Sequence, residues 1–528
     1  MHHRLWLPAI LLFGTSTPAL AQVSPPTAGF AATPTKFLVP DDGTASGYNT
    51  TSSGKKNRRW AFIDLTGDRK PDLVRTADPK TDDVFGKSTK FDHWEVYENT
   101  GTALVKNGTT GRWTVPDSGT VDGFNAIASG ESATRQWVLL PMRDRSWFDL
   151  VQVADPKTGK LFADDNGQYW KIWGIETAQR FRKTPDRVVL KPSGKEKGFN
   201  ALAAASGTDG WTTFDLDGDG LMDIVQTLDP KTGKVWVENG KKIWRLYRGA
   251  LTGLSGQNLE MGMYGATPWT LPEMGLEAGF THPAMNQGTK QWSTFDIDGD
   301  GKPDLVQTAD PKTGKVWGAG TSNPHWRVYK RLPNPTPTTA GFGFATTPTI
   351  WPVPDAGVEA GFAQVASGGA KNWLTIDLDG DGKPDLVQTS QNNGKVWGAG
   401  TNQHSWKLFK NTGAGFARVA TAFPVPQNGF EAGFYAVAAS DATKQWTLVD
   451  IDGDRRLDLV LTADPMNGNV FGDQVPAPTP TAGNAPAPAY SGPRVDAAKA
   501  PPSLKKVLGA VPERTVLQPY WRVYRGQP

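Results

Sequence analysis

Aspartate recurs along this chain in one phrase, Asp296-Ile-Asp298-Gly-Asp300-Gly-Lys302-Pro-Asp304, with carboxylates at positions one, three, five and nine of a loop. Carboxylates on alternate residues of a tight loop can turn to one side, and the glycines after the second and third let the backbone fold back. With the carbonyl of Lys302 they form an all-oxygen donor set. That is the chemistry of a hard divalent cation, and calcium takes about six to eight oxygens at roughly 2.3–2.6 Å. The same set returns as Asp215, Asp217, Asp219, Leu221 and Asp223, as Asp377, Asp379, Asp381, Lys383 and Asp385, and as Asp450, Asp452, Asp454, Arg456 and Asp458. The position-seven residues Leu221, Lys302, Lys383 and Arg456 are expected to act through their carbonyls.

Two copies depart from the pattern. Asp64, Thr66, Asp68, Lys70 and Asp72 replace one carboxylate with a hydroxyl, so weaker binding is expected. Pro141, Arg143, Arg145 and Asp149 have lost the set, and Arg143 or Arg145 is expected to pair with Asp149 in place of an ion. About five calcium sites are therefore expected. A helix-flanked calcium loop would need an acidic residue at position twelve. Here that position is Arg75, Gln226, Gln307, Gln388 or Leu461, and the flanks are strand-like.

Strands must position these loops. Around the fourth copy, Gln291 to Ile297, Asp304 to Thr308, Trp326 to Tyr329 and Trp351 to Pro354 are short, rich in β-branched and aromatic residues, and divided by glycine and proline. A turn at Asp310-Pro-Lys-Thr-Gly314 separates the second and third, and Gly361-Phe362 marks the loop after the fourth. The loops begin at Asp64, Pro141, Asp215, Asp296, Asp377 and Asp450, a period of 73 to 81 residues. Four short strands repeated six times predict an all-β, six-bladed β-propeller, with seven blades as the alternative. The blades are expected near 57–116, 135–192, 209–272, 290–354, 371–426 and 444–525, in one domain over 22–528. One fourth-strand phrase, at 36–40, precedes the first loop, and none follows Trp521 to Tyr524. The N-terminal strand is therefore expected to close the last blade. Residues 473–503, dominated by alanine and proline, are expected to form an extended insertion outside the sheet.

The loops resemble those of the FG-GAP or VCBS repeat family, which includes the propellers of integrin α chains. The resemblance covers nearly all of residues 22–528 and rests on the nine-residue loop recurring at blade spacing. The Phe-Gly and Gly-Ala-Pro signatures of the family are matched loosely, as at Trp317-Gly-Ala-Gly320. Integrin propellers have seven blades, one more than the copies here. The resemblance implies a calcium-stiffened scaffold that binds a protein or a glycan. Extracellular modules hold calcium at about 10⁻⁴–10⁻³ M. At millimolar calcium a site of about 0.1 mM affinity adds roughly 1.5 kcal/mol.

Residues 1–21 carry a basic start, an apolar run from Leu5 to Phe13 and an Ala19-Leu-Ala21 end. That layout predicts a cleaved signal peptide and an exported protein, periplasmic or extracellular. The chain has no cysteine, so its stability must come from core and metal. Its net charge of +3, without a basic block, argues against nucleic acid, and no later apolar run is long enough to span a membrane.

Of the 21 tryptophans, most fall in repeat registers and are expected to pack between blades. Trp236, Trp317 and Trp397, which follow the turn, are the candidate exposed platforms for a ligand. Repeated exposed aromatics would favour a glycan, and a one-off patch would favour a protein partner. His93, His325 and His404 share one repeat position and read as strand residues. The expected function is a binding or adhesion module for surface glycan or protein. The competing readings are a calcium scaffold with a single protein partner and, behind it, a polysaccharide lyase or hydrolase for which no catalytic base can be nominated.

Overall fold

In the computed structural model each loop joins two four-residue strands. In the fourth copy Trp292–Phe295 runs antiparallel to Asp304–Gln307, which pairs with His325–Tyr329, which pairs with Thr349–Pro352. The described residues are 28–40, 60–116, 137–190, 210–272, 292–354, 372–426, 445–476 and 515–527, with short interruptions. The chain is all-β, and no helix occurs among these residues. Residues 1–21, expected to be a signal peptide, and Gly361-Phe362 lie outside them.

Among the described residues, six sheets have four or more strands. The second strand of each is buried along its length, so both faces must be apolar. Leu305 packs toward the preceding sheet and Val306 toward the following one, as period-two geometry requires. Each of six hydrophobic clusters joins two consecutive sheets, and one joins the last to the first through Val460, Trp521, Trp60 and Tyr97. Sheets packed face to face in succession form a β-propeller arrangement.

The strand Thr35–Leu38 pairs antiparallel with Thr515–Tyr524, setting Phe37 opposite Trp521. The phase of the repeat predicts this pairing. One expectation needs correction: residues 473–476 are not outside the sheet. They belong to the strand Phe471–Pro476, which pairs with Thr515–Tyr524 from Phe471↔Tyr520 to Pro476↔Thr515. The rest of the alanine- and proline-rich segment lies outside the described residues.

A set of latches was not anticipated. The segment after the third strand of one sheet laps onto the outer strand of the sheet before it. Phe181 meets Trp94 and Trp113 edge-on at 5.6 and 6.0 Å, Phe344 meets Trp244 and Trp269 at 5.7 and 5.5 Å, and Phe416 meets Trp326 and Trp351 at 5.2 and 6.2 Å. For the last sheet this latch comes from the N-terminus. Gly29–Phe30 pairs with Gly526–Gln527, and Phe30 sits on Trp406 and Phe423. Covering outer edges in this way removes templates for wrong pairing.

Phe37 is fully buried and stacks on Trp521 at 6.2 Å. Phe37→Ala is expected to cost about 3–5 kcal/mol of unfolding free energy, the range for a buried phenylalanine. Urea unfolding followed by tryptophan fluorescence measures it, and a loss below about 1 kcal/mol would mean that this strand does not complete the last sheet.

Candidate metal centre

The loop carboxylates are placed by the loop's own amides. Gly299 N–H and Asp300 N–H donate to Asp296 Oδ1 at 2.8 and 3.1 Å, and Gly301 N–H donates to its Oδ2 at 2.8 Å. Asp64, Asp215, Asp377 and Asp450 are held alike. The glycines after the second carboxylate have φ of 70° to 78°, the left-handed region that the turn requires. Two loops place an arginine, Arg69 or Arg455, at φ of 72° or 73° where others have glycine. The fifth-position carboxylate accepts the N–H of position seven, as Lys302 donates to Asp300 at 2.9 Å. Lys70, Leu221, Lys383 and Arg456 donate in the same way.

The ninth position is buried. Asp385 accepts from Asn411 N–H at 2.8 Å and from Leu378 N–H at 3.3 Å, so one carboxylate ties the loop to the end of the third strand. Asp72, Asp223 and Asp458 make the same double link. In the fourth loop Asp304 accepts from Arg331 N–H at 2.8 Å, while its Oδ2 is buried with no hydrogen-bond partner. Burial, the largest cause, pushes Asp223, Asp304 and Asp385 up to about 8, and Asp72 and Asp458 up to about 7.

Three carboxylates converge to within 4.8 Å in four loops: Asp215, Asp217 and Asp223; Asp296, Asp298 and Asp300; Asp377, Asp379 and Asp385; Asp450, Asp452 and Asp458. Oxygen donors alone, a buried oxygen left over at Asp304, and carboxylates driven toward protonation fit a hard divalent cation. The first loop, with Thr66, is not among the converging groups. Arg143 and Arg145 lie outside the described residues, so their pairing with Asp149 is not described.

Sequence reasoning missed a cation beside each converging loop. One residue past the third strand's last aromatic, Lys330 reaches Asp298 at 2.6 Å. Lys410 reaches Asp379 and Asp381 at 2.7 and 3.4 Å, and Arg525 reaches Asp452 and Asp458 at 2.8 and 3.1 Å. Arg248 contacts Asp217 and Asp219. The two incomplete copies have Glu98 and Gly174 in that register. Reading this column of the repeat against the loop carboxylates would have found the pattern. The next residue also stitches neighbouring sheets, since Asn411 donates to Ile297 O at 2.7 Å and Asn99 to Ile451 O at 2.6 Å.

The aromatic expectation divides. The tryptophans before the loops and on the third and fourth strands are buried, as a packing role requires. Trp236, Trp317 and Trp397 are not exposed platforms. They are half-buried, and Arg245, Arg327 and Lys407 lie over their rings at 3.5, 3.5 and 4.7 Å. His93 and His325 contact the carbonyls of Phe91 and Asn323 at 2.9 Å, and His404 is buried.

No protein-family model matches the chain, and no curated protein matches it. Among solved structures, it is similar to a chain of the Photorhabdus luminescens Tc holotoxin pore, at 15% identity and a TM-score of 0.38, with 78% of this chain and 13% of that chain covered. It is also similar to a chain in the crystal structure of TcdB2-TccC3, at 15% identity and a TM-score of 0.15, with 75% and 21% covered. The chain spans 13% of the length of the first of these. Likeness at these scores adds nothing to the reading of the loops.

The ninth-position carboxylates give a sign for pH dependence. Their folded pKa values of about 7 to 8 lie above the unfolded value near 3.9, so the native state holds extra protons between these limits. That stability is fully present below the unfolded value and is lost as pH rises through the folded ones. In chelator, the urea midpoint is expected to fall from pH 5.5 to pH 8.5 by an amount that ionisation of several buried carboxylates sets, about 1 kcal/mol or more. A midpoint that rises over this window would refute the assignment.

Proposed function

We propose that this chain is a secreted, six-bladed, calcium-stiffened β-propeller that acts as a binding module for an extracellular glycan or protein. The blade count rests on six sheets and on the cluster that joins the last to the first. The metal reading rests chiefly on the four loops in which three carboxylates converge within 4.8 Å. The first, third, fifth and ninth positions of the four full loops would hold the ion, with the first loop a weaker fifth site. Bound calcium would neutralise carboxylates that now meet a single lysine or arginine. Export is inferred from the leader at residues 1–21.

The sites serve the scaffold on this reading. Each loop is linked through its ninth carboxylate to the third strand of its own sheet. Asn411 and Asn99 carry that order to the preceding sheet. Among the described residues, neither the loops nor His93, His325 and His404 supply an aligned acid and base, which favours binding over lyase or hydrolase chemistry.

Calcium at millimolar concentration is expected to raise the thermal midpoint over chelator, with about 1–2 kcal/mol from each occupied site. Scanning calorimetry in the two conditions measures this, and equal midpoints would end the calcium reading. Lys410→Met separates ion pair from ion. Losing a half-exposed pair is expected to lower stability in chelator by about 0.5–1 kcal/mol and to enlarge the calcium-induced shift. A calcium shift unchanged from that of the unaltered chain would mean that Lys410 and the ion do not share a site.

A further inference from the structure

One groove breaks the repeat. In five sheets the residue after the third-strand tryptophan is a long cation lying across the post-turn aromatic. Lys171, Arg245, Arg327, Lys407 and Arg522 sit 4.1, 3.5, 3.5, 4.7 and 4.0 Å from the rings of Phe162, Trp236, Trp317, Trp397 and Phe471. In the first sheet that residue is Glu95. It is drawn back by Arg75 at 2.8 Å, and Arg75 stands where other copies have Gln152, Gln226, Gln307, Gln388 or Leu461. Phe85 is left between the Arg75 guanidinium at 5.4 Å and the His93 ring at 5.8 Å.

The exchange of cation for carboxylate removes the side chain that covers the ring in the other sheets. A groove of about 560 Å³ lies there, lined by Phe85, Phe91, His93, Glu95, Lys106 and Arg112. This volume is in the range of about 300–1,000 Å³ that holds small ligands. Phe91 is 74% exposed, so its ring is open to a ligand. Lys106 and Arg112 are exposed and make no ion pair among the described residues. Arg112 faces Glu95 across the ladder. The groove thus combines an apolar ring face, a hydroxyl-accepting carboxylate and two cations able to hold an acid group.

We propose that this groove binds an acidic saccharide unit. Its ring face rests on Phe91, Lys106 and Arg112 hold its carboxylate, and Glu95 accepts its hydroxyls. The exchange to Glu95 occurs once, the pattern that would favour a protein partner. The chemistry of the groove decides otherwise, because an exposed ring face beside a carboxylate that can accept two hydroxyls suits a pyranose, and Lys106 and Arg112 supply the positive charge for its acid group. The assignment rests on the binding-module reading and names the ligand class for it.

The test is calorimetric titration of the full chain, in millimolar calcium, with hyaluronan tetrasaccharide, neutral chitotetraose and a hexaglutamate peptide. Saturable binding of the hyaluronan fragment is expected, at least about tenfold tighter than that of the other two. Phe91→Ala and Arg112→Gln, both at exposed positions, are each expected to weaken it about tenfold with unchanged melting temperature. No binding of the hyaluronan fragment, or binding that both variants retain, overturns the proposal. Preference for hexaglutamate also overturns it and assigns the groove to an acidic protein. The calcium-dependent melting shift in the same samples reports on the scaffold reading separately, and preference for chitotetraose would leave a binding module with its site misassigned.

Discussion

The fold depends on a buried carboxylate at the head of each second strand. Asp72, Asp223, Asp385 and Asp458 accept amides from the loop before them and from the end of the third strand, and Asp304 accepts the second of these. One side chain therefore fixes the loop, the turn into the ladder and the exit from it. Burial makes the ionised form costly unless amides or a cation surround it. The arrangement supplies an amide to Asp72, Asp223, Asp304, Asp385 and Asp458, and it supplies a lysine or arginine wherever the other loop carboxylates are complete.

From that anchor the packing follows. The strand that starts at the carboxylate is apolar on both faces because it lies between two sheets. The tryptophan before each loop reaches the sheet behind, and the third-strand tryptophan opposes an aromatic on the fourth strand wherever the outer phrase retains one, as Trp326 opposes Trp351. Stability of the assembly is mostly a sum over such neighbour contacts, as in repeat proteins generally.

Much of this was legible in the sequence. The carboxylate spacing, the two-residue alternation of Asp-Leu-Val-Gln and the misplaced phrase at Phe37 are local signals, and each needs no more than the repeat to be read. The position of residues 473–476 was misread because composition near proline outweighed pairing with a partner beyond residue 514. Trp236, Trp317 and Trp397 were misplaced for a related reason. Their cover comes from a cation nine or ten residues further on, which lies over the ring only once the chain has turned back. The phenylalanine latches and the groove beside Glu95 depend on contacts between strands, and their sequence trace is a single changed column in the repeat.

The N-terminal strand carries a consequence for how the molecule is made. Thr35–Leu38 leaves the ribosome long before its partner Thr515–Tyr524, since Thr35 and Val523 lie 488 positions apart. Gly29–Phe30 waits equally long for Gly526–Gln527. Sheets one to five can assemble in order as they appear, while the first segment of the chain stays without its place and the nascent stack has an open flank. A truncated product would keep that flank permanently, exposing Trp60 and Tyr97 to other chains. Arrival of Thr515–Tyr524, rather than of any single loop, is the event that covers this flank.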